Sequence, residues 1–216
     1  MNSLPLLKLS QPDNILIKGR SINNGILSNM HKSSSIITYR DVTSNYVEAA
    51  YVAAKNPDFV IDGLCFSTII NDVVKYYGPH KIKQFGKSPA KGGLIKPRHD
   101  WNFIKISAMY SFLLQKFTMD SKEYKWLLNQ PIESLVEWNN WHDKFWGVSY
   151  GSGANILGVL LAMIQTFYKT NNQLPFIIET DWKDFQEILI PFLSRLSKLI
   201  WIDNQFNLEN FNCSFS

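Results

Sequence analysis

Four alanines fall within residues 49–54, and they constrain this chain more than any other feature. Ala49, Ala50, Ala53 and Ala54 belong to a segment that reads as a helix over Tyr46–Lys55, with Thr43-Ser44 offering an N-cap and Asn56-Pro57 a stop. On that helix Glu48 and Lys55 lie seven residues apart, so they share a face with Tyr51 between them. Val47, Ala50 and Ala54 form the opposite, packing side. A Glu and a Lys so placed are ordinarily a wet surface pair. The alanines argue otherwise, because side chains this small let neighbouring elements approach closely and bury the glutamate.

Around this helix the pattern is mostly helical. Ile36–Arg40 predicts a short strand, and helices are expected over Ser67–Tyr77, from Asp100 as cap to Phe117, and from Ser121 to Gln130-Pro131. Residues 78–99, rich in Gly, Pro and Lys, read as loop with at most a turn of helix. An aromatic-rich loop runs to Gly153, followed by a strongly apolar helix from Asn155 to Tyr168. A last helix over Asp181–Ile200 should bend or restart near Pro191, its stripe Trp182, Phe185, Ile188, Leu189, Phe192 and Leu196 packing into the core. The expected fold is therefore mainly α, an α+β arrangement with a few short strands. Its expected organisation is an irregular segment over 1–24, a domain over 25–170 and a helical extension over 171–216 packed on the same domain.

Composition excludes several classes. Low charge (19%) and seven Trp rule out a disordered chain. No 18-residue stretch is free of polar residues, so no transmembrane helix and no membrane partner are expected. Met1–Pro12 lacks the plan of a signal peptide, and Cys65 and Cys213 form neither a metal spacing nor a disulfide framework, so a reducing cytoplasmic setting is expected. His31, His80, His99 and His142 have no ligand spacing, so neither metal nor cofactor is expected.

Charge is unevenly spread: residues 1–170 hold 19 Lys/Arg against 12 Asp/Glu, whereas 171–216 hold 3 against 6. Val73–His99 carries Lys75, Lys81, Lys83, Lys87, Lys91, Lys96 and Arg98 with no acid, a run that either tracks phosphates or is a solvated loop.

Two further segments carry chemistry. Trp138, Trp141 and Trp146 interleave with His142 and Asp143, so an aromatic there either clamps a planar ring or anchors the loop in the core. Gly151-Ser152-Gly153-Ala154-Asn155 opens the apolar helix, as a phosphate-binding turn would, although Asn155 is also an ordinary N-cap. The turn is neither a Walker A motif nor a dinucleotide fingerprint.

Taken together, Leu27-Ser28-Asn29-Met30, Val47-Glu48-Ala49-Ala50-Tyr51-Val52-Ala53-Ala54-Lys55, Arg98-His99-Asp100-Trp101 and Trp141-His142-Asp143-Lys144-Phe145-Trp146-Gly147 with its following Gly turn resemble the NADAR (YbiA-like) family, in order, over about residues 25–170. The resemblance implies hydrolysis of an N-glycosidic bond. One branch cleaves phosphorylated intermediates of riboflavin synthesis. Another removes ADP-ribose from guanine in nucleic acid, and some of its members are antitoxins to an ADP-ribosyltransferase.

On this resemblance Glu48, Lys55 and Asp143 are the expected catalytic residues. Asn29, Tyr51, Arg98, Trp101, Trp146, Gly151, Gly153 and Asn155 are the expected substrate contacts. Asp143 should face the ribose, while Trp146 should be buried. The expected substrate is ADP-ribose on guanine of DNA or RNA, with a cognate ADP-ribosyltransferase toxin as partner. The alternatives are a riboflavin-type N-glycosidase and a non-catalytic ADP-ribose-binding or immunity module. Two departures stand out: Met30 replaces a frequent Phe, and Ala49 replaces a frequent His after the helix glutamate.

Overall fold

The structure is a computed structural model that describes residues 7–8, 25–61, 63–150, 152–170 and 176–197. In chain order its strands are β1 (Leu7–Lys8), β2 (Ile37–Tyr39), β3 (Val42–Ser44), β4 (Val60–Ile61), β5 (Leu64–Cys65), β6 (Trp138–Asn139), β7 (Val148–Ser149) and β8 (Ser152–Gly153). The helices are α1 (Val47–Lys55), α2 (Phe66–Tyr77), α3 (Pro79–Phe85), α4 (Trp101–Lys116), α5 (Lys122–Leu128), α6 (Ile156–Lys169) and α7 (Trp182–Ser197). The fold is mainly helical with a few short strands. Contacts divide the described residues into two units, one within 25–126 and 176–187, the other within 7–8, 127–170 and 188–197.

In the first unit α1 is the central element. It packs against α2, α3, α4 and the β2–β3 hairpin, and every residue from Val47 to Ala54 is buried. The alanine pairs permit this, since each allows a neighbouring backbone to approach nearly to contact. The β2–β3 hairpin pairs Ile37 with Ser44 and Tyr39 with Val42, turning through Arg40 at φ 47°. The start of α7 closes this unit: Trp182 stacks on Tyr39, meets Phe112 edge-on and donates its indole N–H to Ser111 Oγ at 3.0 Å.

In the second unit β1, β8, β7 and β6 form one small sheet, with β6 and β7 parallel and the other pairs antiparallel. Helix α6 is buried from Ile156 through Phe167. Close backbone approach demands glycine here: a Cβ on Gly147 would lie 2.1 Å from the Glu137 carbonyl, and one on Gly158 would lie 1.9 Å from that of Leu135.

Several expectations are corrected. Residues 79–85, read as loop, form two turns of helix, because Pro79 takes the first helical position after Gly78 and Ile82 is buried. The aromatic loop holds β6, β7 and β8. Helix α7 continues through Pro191, which lies on its exposed side while Leu189 and Leu193 are buried. Its buried stripe therefore includes Leu193, and Ile188, placed in the core by the sequence, faces solvent at 59% exposure. The side chain of Leu196, Gly151 and Cys213 lie outside the described residues. No described helix is long and apolar enough to cross a membrane.

Candidate active site

In the first unit four predicted residues converge on α1. Glu48 is 8% exposed, and its backbone N–H donates to the Asn29 carbonyl at 3.2 Å. Tyr51 and Trp101 meet ring to ring, centroids 5.0 Å apart and tilted by 56°. The Lys55 ammonium lies 5.5 Å from the Tyr51 ring centroid and donates to the Gly86 carbonyl at 2.9 Å. Burial pushes the Lys55 pKa down, the nearby Glu48 carboxylate opposes that shift, and Lys83 adds to it. The result is an amine shifted toward its neutral, nucleophilic form, near a buried carboxylate and edged by the Tyr51 ring.

Asn29 reaches this site through a turn held from both sides. Its amide nitrogen donates to Met109 Sδ at 3.3 Å, and its Oδ1 is buried with no hydrogen-bond partner. Beneath it, the fully buried Lys116 donates to the Ser28 carbonyl at 2.6 Å, and burial pushes its pKa down to about 7. Sequence reasoning missed Lys116 because nothing in its local pattern distinguishes it from an ordinary helix-terminal lysine. Ser34 meets the buried Glu123 with both its backbone N–H and its hydroxyl, and these bonds hold the Glu123 carboxyl below its usual range against the cost of burial.

Arg98, predicted to contact substrate, is instead occupied. Its Nε and Nη2 donate to the Asp100 carboxylate at 2.6 and 3.0 Å, and Nη1 donates to Glu179 at 2.7 Å. Asp100 stands at the α4 N-cap position without capping it, because its carboxylate is turned to Arg98. Glu179 also accepts from Arg40 and the Tyr39 hydroxyl, so three donors gather on one carboxylate. Meanwhile the Arg98 backbone N–H donates to the Lys55 carbonyl at 2.7 Å. Arg98 thus braces the end of α1 and the start of α4.

The remaining predicted residues lie in the second unit. Asp143 was expected to face a ribose, yet its Oδ1 accepts the backbone N–H groups of Phe145 and Trp146 at 3.1 and 2.9 Å. Its own backbone exchanges two hydrogen bonds with the Asn139 amide. Trp146 is half-buried rather than buried, and it meets Phe145 edge-on. Asn155 is fully buried at φ 49°, and instead of capping α6 its Oδ1 accepts from Glu137 N at 3.0 Å while its Nδ2 donates to the Leu135 carbonyl at 3.1 Å. Gly153 pairs with Leu7, and a Cβ there would sit 2.1 Å from the Gly147 carbonyl. These residues hold the turn together by their own bonds.

A match to the NADAR domain covers residues 17–167. The chain belongs to the NADAR family. Among curated proteins it is similar to the riboflavin biosynthesis protein PYRR, chloroplastic, of Zea mays, at 27% identity over 136 residues, which is 62% of this chain. The chain spans about a fifth (20%) of the length of that relative. No solved structure matches it. Glu48, Tyr51, Lys55 and Trp101 bring a carboxylate, a phenol, an amine and an indole together around one buried helix.

Proposed function

We propose that this NADAR protein hydrolyses the N-glycosidic bond of ADP-ribose carried on guanine of a nucleic acid. One observation carries this reading: Glu48, which is buried, and Lys55, whose ammonium is seated by the Tyr51 ring and the Gly86 carbonyl, share one helix two turns apart. Breaking the C1′–N bond leaves the electron pair on the departing amine and builds positive charge on the ribose. A buried carboxylate stabilises that charge far better than one in water. Glu48 is the assigned stabiliser. Lys55 fits one of two routes, either attacking C1′ of the opened sugar to give an imine that water hydrolyses, or orienting the water itself. In both routes the amine leaves with a proton, water supplies the new oxygen at C1′, and the products are ADP-ribose and the strand with its guanine amino group restored.

The acidic segment after residue 170 and the basic run over 73–99 give the chain an electrostatic asymmetry that suits a polyanionic substrate. An oligonucleotide carrying ADP-ribose on guanine tests the reading directly: chromatography should show ADP-ribose released by the wild-type chain, and its absence defeats the assignment. A second reading, an N-glycosidase acting on phosphorylated riboflavin-pathway intermediates, is favoured by the similarity to the maize protein. Against it stands the pattern Glu48-x-x-Tyr51-x-Ala53-x-Lys55, which looks less like the riboflavin branch.

A further inference from the structure

His142 and Tyr150 form a pair that the chemistry above does not use. Both occupy left-handed backbone, at φ 64° and 50°, a conformation that bulky L-residues adopt only when their surroundings enforce it. The enforcement is visible: Asn139 and Asp143 lock the segment by reciprocal bonds, and the Lys144 carbonyl accepts from Ala154 N at 2.8 Å. The frame presents the two rings outward, with centroids 5.1 Å apart and a tilt of 36°. Tyr150 is 70% exposed, and its hydroxyl donates to the Asn140 carbonyl at 3.2 Å, which fixes the ring plane. Asn140, Trp141, His142 and Lys144 are exposed alongside it.

A strained backbone that holds two aromatic rings in water serves no core. Rings with polar edges, an amide and a lysine are the elements with which proteins hold unpaired bases, because every base offers a π-face and every linkage a phosphate. Asn140 and Lys144 flank the rings with an amide and a cation, groups that suit a base edge and a phosphate. We propose that the His142–Tyr150 pair is a stacking platform for an unstacked nucleobase of a single strand, with Lys144 beside it for the backbone phosphate. This extends the reading that the modified guanine is carried on a strand, and it can fail independently.

The experiment uses the full chain and an unmodified, fluorescently labelled single strand of about 12 nucleotides, within the span such platforms cover. Anisotropy titrations compare the wild type with the double variant His142→Asn/Tyr150→Asn. Asparagine tolerates left-handed backbone, so the variant deletes the rings and keeps the turn. We expect its affinity for the single strand to fall about tenfold or more, the range for losing base–aromatic stacking. Affinity for a duplex of the same length and the release of ADP-ribose from a modified guanosine monomer should be unchanged. Unchanged single-strand affinity, or an equal fall on the duplex, overturns the proposal. Should the double variant not fold, Tyr150→Trp replaces it: single strands must then quench indole emission beyond the wild-type response, and no added quench overturns the platform. A wild type that releases no ADP-ribose would remove the proposed function yet leave the binding comparison intact.

Discussion

The ammonium of Lys55 sits over the face of Tyr51, 5.5 Å from the ring centroid, on the same buried helix as Glu48. The π-face of the ring attracts the charged ammonium and so seats Lys55, while burial pushes its pKa down. Its donation to the Gly86 carbonyl at 2.9 Å anchors the amine at the end of α1.

Glu48→Gln should abolish most turnover while leaving the fold and ADP-ribose affinity largely intact. Glutamine keeps the shape of the side chain but cannot balance a developing cation. Initial rates at saturating substrate should fall on the order of 10²–10⁴-fold, and a variant retaining most of the activity would show that Glu48 is not catalytic.

Lys55→Met should be as damaging on the imine route. Borohydride added during turnover should then yield an adduct on Lys55, located by mass spectrometry of its peptide. Repeated absence of the adduct, with normal wild-type turnover, would assign the step to direct attack by water.

Lys116 makes stability depend on pH in a definite direction. Its pKa falls from about 10.5 to about 7 in the fold, so between those values the unfolded chain binds more protons than the native one. Stability therefore rises as pH climbs from about 7 toward 10.5 and is lowest below 7, where the buried ammonium is charged. Lys116→Met should flatten this rise, with the Ser28 carbonyl keeping its bond from His31 N at 3.0 Å. Melting temperatures of both proteins at pH 6.5 and 9.5 check it, and parallel curves would refute it.

Asp143→Asn and Asp143→Ala separate a turn-former from an acid. Asparagine retains the oxygen that takes the Phe145 and Trp146 N–H groups, so it should melt close to wild type. Alanine orphans both and should cost about 1–3 kcal/mol. If asparagine keeps full activity as well as stability, Asp143 acts on the loop and not on the substrate.

Reversing Lys83, Lys87 and Lys91 to Glu should weaken oligonucleotide binding and lower its salt dependence, while free ADP-ribose binding barely changes. Equal losses on both ligands would place these lysines at the diphosphate instead.

Helices α1, α2, α4 and α6 were legible because their apolar spacing and stop signals agree over two and a half turns or more. Helix α3 was hidden by its lysines, since Ile82 is its one buried residue and a single apolar position has no period. Strands of two residues, such as β6 to β8, are too short for alternation to appear. In the site, the shared face of Glu48, Tyr51 and Lys55 followed from helical geometry alone. The occupation of Arg98 did not, because Glu179 lies 81 residues away in sequence and no local pattern joins them. Asn155 looked like a cap because asparagine favours that position, whereas its amide serves the backbone of residues 135 and 137.

The gathering of Arg40, Arg98 and Tyr39 on Glu179 has a practical consequence for anyone shortening this protein. The family match stops at residue 167, so a chain trimmed there would look complete by homology. It would nevertheless lose Glu179, which shares Arg98 with Asp100, and Trp182, whose indole covers Tyr39 and Phe112. Two arginines would face each other's field without their common counter-ion, and an aromatic wall beside the β2–β3 hairpin would open to water. The boundary that homology draws is therefore not the boundary at which this half of the molecule can be cut.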